Sequence, residues 1–449
     1  MRALTPRRPA TAMLCGALAL ALLAIVAPGA PAGAQARPPG DTLGLAQLQA
    51  DALRTDPRAE QLELLGAQTD LRLETLEAER LPSLEIHGQG QYQSDVPSVP
   101  IELPGGMTPP IPHKDTYDAY ASIRQSLYDP SIGPRRQVEA ARLAESRARV
   151  DAALYDLRRR VNEAFFSTLL LAAQASEVDA AIVSLQAQLE VAERRVADGA
   201  ALPSEAATLR REILRRGQLR EELRAAEAAS RQVLAELVGR PLAEGTVLVP
   251  PDLAAIVAET RSSLNGFEDR PEMERFARSR ELLDVQMGVI GARDQPRISA
   301  FGRGGYGRPG LNPLSTAFDN YWLGGVQLDW SPWSWGATTN ERQELRLQQV
   351  ILASEQAAFA EELRRGVITE LATIDRLAGA LQGDEEIISL SEEILAETRL
   401  RFDEAVVTSA ELVDRETDLL EARLALIAHR LELAHARARF LTLIGHELP

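Results

Sequence analysis

Leu84-Glu85-Ile86-His87-Gly88-Gln89-Gly90-Gln91-Tyr92 is written a second time as Ile298-Ser299-Ala300-Phe301-Gly302-Arg303-Gly304-Gly305-Tyr306, 214 residues further on. Both stretches alternate with period two, the sign of a strand with unlike faces. In the first, Leu84, Ile86, Gly88, Gly90 and Tyr92 face one way, against Glu85, His87, Gln89 and Gln91. In the second, Ile298, Ala300, Gly302, Gly304 and Tyr306 oppose Arg297, Ser299 and Arg303. Each has a partner of the same type. Ala119, Ala121, Ile123 and Leu127 oppose Ser122, Arg124 and Ser126; Trp322, Val326, Leu328 and Trp330 oppose Gln327, Asp329 and Ser331.

The match between these strands belongs to a duplication of the chain. At a shift of 214, Pro57 falls on Pro271 and Pro82 on Pro296. Beyond the strands a shift of 206 takes over: Arg136-Gln137 falls on Arg342-Gln343, Arg195 on Arg401, Glu205 on Glu411 and Gly239 on Gly445. The missing eight residues fall between the two strands of each pair, where a surface loop tolerates a change of length. The expected organisation is a first repeat over 37–240, a linker over 241–270 and a second repeat over 271–449. Strands are expected at about 83–93, 117–128, 297–307 and 320–331.

After each strand pair comes a long run rich in Ala, Leu, Glu and Arg, strong helix formers. Helices are expected at about 134–198 and 203–238, and at 337–404 and 409–444. One from Pro134 to Asp198 would be roughly 95 Å long at 1.5 Å per residue, a length suited to a coiled coil or helical barrel. The first breaks at Gly199-Ala200-Ala201-Leu202-Pro203, a helix stop followed by a restart. The matching break is Ala405-Val406-Val407-Thr408-Ser409, where Thr408 and Ser409 are cap residues. Gly366, Gly379 and Gly383 stand awkwardly inside the third long helix.

Each strand is about ten residues, enough to cross a bilayer when tilted. All four Trp and six of the seven Tyr lie in or beside these segments. Tyr92, Tyr128, Tyr306, Trp322, Trp330 and Trp333 are the expected aromatic girdle at the membrane interfaces. Four strands cannot close a barrel, because outer-membrane barrels begin at eight, and an open edge in lipid leaves backbone groups unsatisfied. Several copies must contribute, and three would give twelve strands.

Arg2, Arg7 and Arg8 precede an apolar run from Met13 to Val26, and Ala34-Gln35-Ala36 follows. Residues 1–36 are the expected secretory signal. Cys15, the only cysteine, lies inside it behind Met13 and Leu14, which argues against lipidation. Removing 1–36 moves the net charge from −16 to −19, which argues against a nucleic-acid partner. No other run of about 18 apolar residues is present, so no transmembrane helix is expected. His87, His113, His429, His435 and His446 form no metal-binding spacing. Gly302 to Gly307 fits G-x-G-x-x-G, but inside a strand rather than at a helix start, so it does not mark a dinucleotide site. No catalytic constellation, cofactor site or metal site is expected, and the chain is not read as an enzyme.

The duplicated halves, the strand pairs followed by long helical hairpins, and the run Arg401-Phe402-Asp403-Glu404-Ala405 … Ser409-Ala410-Glu411-Leu412-Val413-Asp414 resemble the TolC-type outer-membrane factor family. The resemblance covers essentially the whole chain after residue 36. It implies a mainly α protein with a small β part, a homotrimer whose twelve strands form a barrel in the outer membrane, continued by a long periplasmic α-helical barrel. It implies an outer-membrane exit duct of a tripartite efflux or type I secretion system, passing drugs, metal ions or proteins. The partners would be a periplasmic adaptor, an inner-membrane pump or ABC transporter, and outer-membrane lipid. It places Glu411 and Asp414 in acidic rings at the periplasmic pore entrance. Gly199, Ala200, Ala201, Leu202, Ala405, Val406, Val407 and Thr408 would form the tip that meets the adaptor. Ala405 stands where the family usually has Gly, and Thr208 replaces the second acid in the first repeat. The rival expectation is a structural periplasmic coiled-coil protein with soluble hairpins and no pore.

Overall fold

A computed structural model describes residues 42–96, 111–243, 245–262, 266–313 and 315–448. The expected signal and most of the proline-rich loop over 93–115 lie outside the described residues. The elements run β1 (Thr42–Gly44), α1 (Leu45–Thr55), a 3-10 turn (Pro57–Glu60), α2 (Gln61–Ala78), β2 (Ser83–Tyr92), β3 (Asp115–Tyr128), α3 (Ile132–Ala197) and α4 (Pro203–Val238). Then follow β4 (Val247–Val249), α5 (Ala254–Ser262), α6 (Pro271–Ala292), β5 (Arg297–Arg308), β6 (Asp319–Asp329), α7 (Ala337–Asp403) and α8 (Ser409–Leu443).

The 66 residues of α3 and 67 of α7 make helices about 100 Å long. Buried positions on α3 fall at Val138, Ala141, Glu145, Ala148, Ala152 and Tyr155. Those alternating steps of three and four give the 3.5-residue period of a coiled-coil seam. On α7, Val367, Ile374, Leu377 and Asp384, then Leu395, Thr398 and Phe402, follow the same period.

The short helices pack back along the long ones. Ion pairs between the arms show the antiparallel register: Glu193–Arg210 and Asp179–Arg224 between α3 and α4; Arg399–Glu416, Glu392–Arg423 and Glu370–Arg439 between α7 and α8, with a hydrogen bond between His429 Nδ1 and Asp384 in the same series. The rung nearest each turn is the same rung with its charges exchanged, since Glu193 matches Arg399 and Arg210 matches Glu416 at a shift of 206.

The main core lies where α4 and α8 end. Leu45, Leu48, Val161, Phe165, Leu234, Val238, Leu377, Phe440 and Leu441 are buried together there, capped by the parallel pair β1–β4 and by α5. Through it runs a buried polar chain, Gln49 Nε2 to Asn162 Oδ1 at 2.5 Å and Asn162 Nδ2 to Thr442 Oγ1 at 3.1 Å. The duplication is visible at this junction. Gly239 and Gly445 end α4 and α8 in the left-handed region, at φ 72° and 88°, each against the turn before the matching proline, Pro57 or Pro271. A Cβ on Gly239 would lie 2.7 Å from Thr55; one on Gly445 would lie 3.0 Å from the Asp269 carbonyl carbon. Thr55 Oγ1 donates to the Val238 carbonyl at 2.9 Å, and Arg270 Nη1 donates to those of Thr442 and Leu443 at 3.2 and 3.0 Å. Both satisfy the orphan carbonyls of a helix end.

Two expectations bear on the long helices. A stretch of α3 with mean hydropathy 1.4 is long and apolar enough, by composition, to cross a membrane. Ser, Gln, Glu and Asp interrupt its apolar residues, so no unbroken run showed. Val178, Ile182 and Leu185 of this helix are buried against neighbouring helices. The glycines expected to weaken α7 lie within one continuous helix: at Gly366 a Cβ would only touch Leu443 at 3.4 Å, and Gly379 and Gly383 face open space.

Candidate functional site

The four long strands form one antiparallel sheet in the order β2-β3-β5-β6, so the two repeats pair through β3 and β5. Registration aligns the faces read from the sequence. Across one face run Leu84, Ile123, Gly302 and Gly324, and then Ile86, Ala121, Gly304 and Trp322. Across the other run His87, Tyr120, Gly305 and Tyr321. One irregularity, between Ser126 and Tyr128, drops Leu127 out of the pairing and brings Tyr128 opposite Ile298. The bulge is why Leu127 does not simply extend the apolar face, as its spacing suggested.

That apolar face is uncovered. Ile86 is 84% exposed and Trp322 82%, with Leu84, Ile123, Val326 and Leu328 beside them. A contiguous apolar surface of this kind marks a face meant for lipid or a partner. The expected aromatics divide into two groups. Tyr92 and Tyr306 lie at the loop end, joined there by Tyr117 and Phe318, whose rings stack at 6.2 Å, while Tyr306 stacks on Phe318 at 5.5 Å. Tyr128, Trp330 and Trp333 lie at the helix end with Trp335. Trp330 and Trp333 follow β6 rather than sit in it, and Trp330 Nε1 donates to the Asp294 carbonyl at 3.1 Å. Trp322 lies within β6, opposite Gly304, between the two groups.

The other face carries a network that the alternation alone did not single out. Arg303 on β5 bonds Asp118 on β3 and donates to Tyr321 Oη on β6 at 2.9 Å. Tyr321 Oη donates to Asp118 Oδ1 at 2.5 Å, and the guanidinium lies 3.4 Å from the centre of the Tyr120 ring. His87 on β2 stacks on that ring at 4.7 Å. All four strands are tied by it. Gly305 gives the rings room, since a Cβ there would lie 2.7 Å from both Tyr120 and Tyr321. The glycine-rich pattern is thus a packing requirement of the strand.

At the far end of the long helices are the two turns. Gly199 has φ 72° and Ala405 φ 62°. Ala200 N donates to the Arg195 carbonyl at 2.8 Å and Val406 N to the Arg401 carbonyl at 2.8 Å. These are the same helix-ending motif twice, so Ala405 takes the left-handed conformation that its glycine counterpart takes freely. Leu202 and Thr408 precede α4 and α8, and Thr408 Oγ1 accepts from Glu411 N at 3.4 Å. Gly199, Ala200, Leu202, Ala405, Val406 and Thr408 are exposed; Ala201 and Val407 are half-buried. Glu411 and Asp414 are exposed on one side of α8, and no side-chain partner for either is seen among the described residues. Two tip residues escaped the expectation. Arg195 Nη1 donates to the Phe402 carbonyl at 2.6 Å while lying over the Phe402 ring at 5.2 Å. Glu205 Oε2 accepts from Ser409 N at 2.8 Å, capping α8. Their only sequence signal was that both match across the repeat.

Among the described residues no cluster of His, Cys, Asp or Glu could hold a metal ion. No protein-family profile matches the chain, and no curated protein matches it. Solved structures do. The outer-membrane protein VceC from Vibrio cholerae superposes with a TM-score of 0.64 at 14% identity, covering 90% of this chain and 97% of its own. CusC, solved in a study of transmembrane channel formation, gives 0.65 at 15% identity over 90% and 92%. The open state of the Neisseria gonorrhoeae MtrE outer-membrane channel gives 0.62 at 18% identity over 90% and 89%. This chain has the fold of the TolC-type outer-membrane channels. Within that TolC-type fold, α3 and α7 run unbroken from the sheet to the two turns, so sheet and tip lie about 100 Å apart.

Proposed function

We propose that the chain is a subunit of an outer-membrane exit duct. The observation that carries this reading is the sheet: its apolar face is uncovered, and its outer strands β2 and β6 each leave one edge unpaired. In water such a face and such edges invite aggregation. In lipid they demand closure with other copies. Four alternating strands leave β2 and β6 running in opposite directions, so copies set side by side continue the antiparallel pattern. Three copies close a twelve-stranded barrel, with the Arg303–Asp118–Tyr321 face toward the lumen and the helical hairpins in the periplasm.

The duct does no chemistry; a pump supplies the energy. A periplasmic adaptor meets the exposed turns 199–202 and 405–408, and an inner-membrane pump or ABC transporter stands behind it. Glu411 and Asp414, tripled, form acidic rings at the entrance that favour cations and raise the barrier to anions. Cargo choice belongs to the pump.

The four Trp residues serve as reporters, because they sit in or just after β6. In the protein reconstituted in vesicles, brominated lipids are expected to quench most of the tryptophan emission and aqueous iodide little of it. Quenching by iodide, with no effect of brominated lipid, would favour a soluble coiled-coil protein instead.

A further inference from the structure

In strand register, the sheet face that bears Ile86, Ile123 and Trp322 holds only two charged side chains among the described residues, Asp115 on β3 and Arg308 on β5. Both lie at the loop end, where Asp115 stands opposite Tyr92 and Arg308 opposite Tyr117. The helix end of the same face carries no charge on any of the four strands. Arg308 Nη2 bonds the Asp115 carboxylate and donates to the Asp115 carbonyl at 3.2 Å. For Nη1 and the buried Nε no hydrogen-bond partner is seen among the described residues. Rings hold the guanidinium: its carbon lies 5.0 Å from the centre of the Phe318 ring and 5.7 Å from that of Tyr117, both within cation–π range. Only 17% of the Arg308 side chain is exposed. Gly90 leaves the space that Tyr117 covers, since a Cβ there would meet its ring at 3.4 Å. Lys114, the only lysine in the chain, precedes Asp115 and is exposed.

An ionisable side chain on a lipid-facing surface is costly and marks a functional site. A charge pair kept only for stability would use both arms of the guanidinium fork on the carboxylate; here one nitrogen makes both bonds. In the duct reading the loop end is the external end, set in the leaflet built of a phosphorylated glycolipid. We propose that Arg308 is a headgroup site for that glycolipid, its guanidinium taking a phosphate of lipid A. Guanidinium geometry suits phosphate oxygens. Tyr117, Tyr306 and Phe318 flank it, with ring bodies toward the acyl chains and tyrosine hydroxyls toward the headgroup. A guanidinium already held between rings loses little freedom on binding. Asp115 is the carboxylate that the phosphate displaces. The inference rests on the duct reading and adds which lipid the barrel selects and where.

The test is native mass spectrometry of the detergent-purified protein titrated with lipid A. Arg308→Gln is expected to bind lipid A about tenfold more weakly, and Asp115→Asn at least as tightly as the parent. Equal weakening by both variants would make the pair a structural tie and overturn the site. So would parent protein that binds dephosphorylated lipid A as tightly as lipid A, a comparison that needs no variant to fold. Inorganic phosphate binding as tightly as lipid A would overturn the lipid assignment. Quenching by brominated lipid separates the failures: protein that is quenched in vesicles but shows no preference for lipid A overturns the site alone, and protein that is not quenched overturns the duct reading with it.

Discussion

Gly239 and Gly445 are fixed by φ and by contact at once, since a side chain on either strikes the turn that leads into the matching proline. Replacing either with Ala is expected to cost about 1–3 kcal/mol, read as a lowered denaturation midpoint. Gly379→Ala, in open space inside α7, is expected to stabilise by about 1 kcal/mol. Ala405 holds a left-handed conformation that glycine adopts without strain. Ala405→Gly should therefore slow hydrogen exchange at the Val406 amide, through a gain of about 1 kcal/mol; faster exchange would contradict the turn geometry. His435 is half-buried in α8 against the Phe166 ring, 5.0 Å away, and its desolvation there, aided by Arg439, pushes its pKa down to about 4. Its neutral form is favoured in the fold, so the contribution is complete above the unfolded value near 6.5 and is lost as pH falls through 4. Between pH 7 and pH 5 the protein should lose about 2 kcal/mol of stability that a His435→Leu variant keeps. Equal losses in both would show that His435 is not the group responsible.

At the scale of elements, periodicity was enough to find the strands and long helices, because period two and period 3.5 survive in a single sequence. The repeat supplied support that periodicity lacks: Ala405 read alone is a poor helix stop, and the break rests on the β-branched Val406-Val407, the cap residues Thr408 and Ser409, and the match to Gly199. The paired turns were legible for that reason. The bonds across the tip were not, because Arg195 and Glu205 look like any other charge on an Arg- and Glu-rich helix. Only the packing of two hairpins separates them from solvated residues. The polar-face network was hidden for a related reason: Asp118, Arg303 and Tyr321 belong to three strands, and pairing register alone brings them together.

For the molecule as a whole, the uncovered apolar face and the strand edges left unpaired among the described residues carry the proposal that the chain is incomplete alone. Its acidic balance agrees with the proposed cation-attracting entrance, where Glu411 and Asp414 lie exposed on the same side of α8 with no side-chain partner among the described residues. The central claim is that copies of this chain enclose a conducting path. Single-channel recording in a planar bilayer tests it most directly, using an Arg195→Ala/Glu205→Ala variant, which lacks both bonds between the two turns, so that a closed tip cannot account for silence. Discrete, cation-preferring steps are expected, with the preference reduced when Glu411→Ala and Asp414→Ala are added. A well-folded, membrane-inserted oligomer of the loosened variant that passes no current would contradict the account.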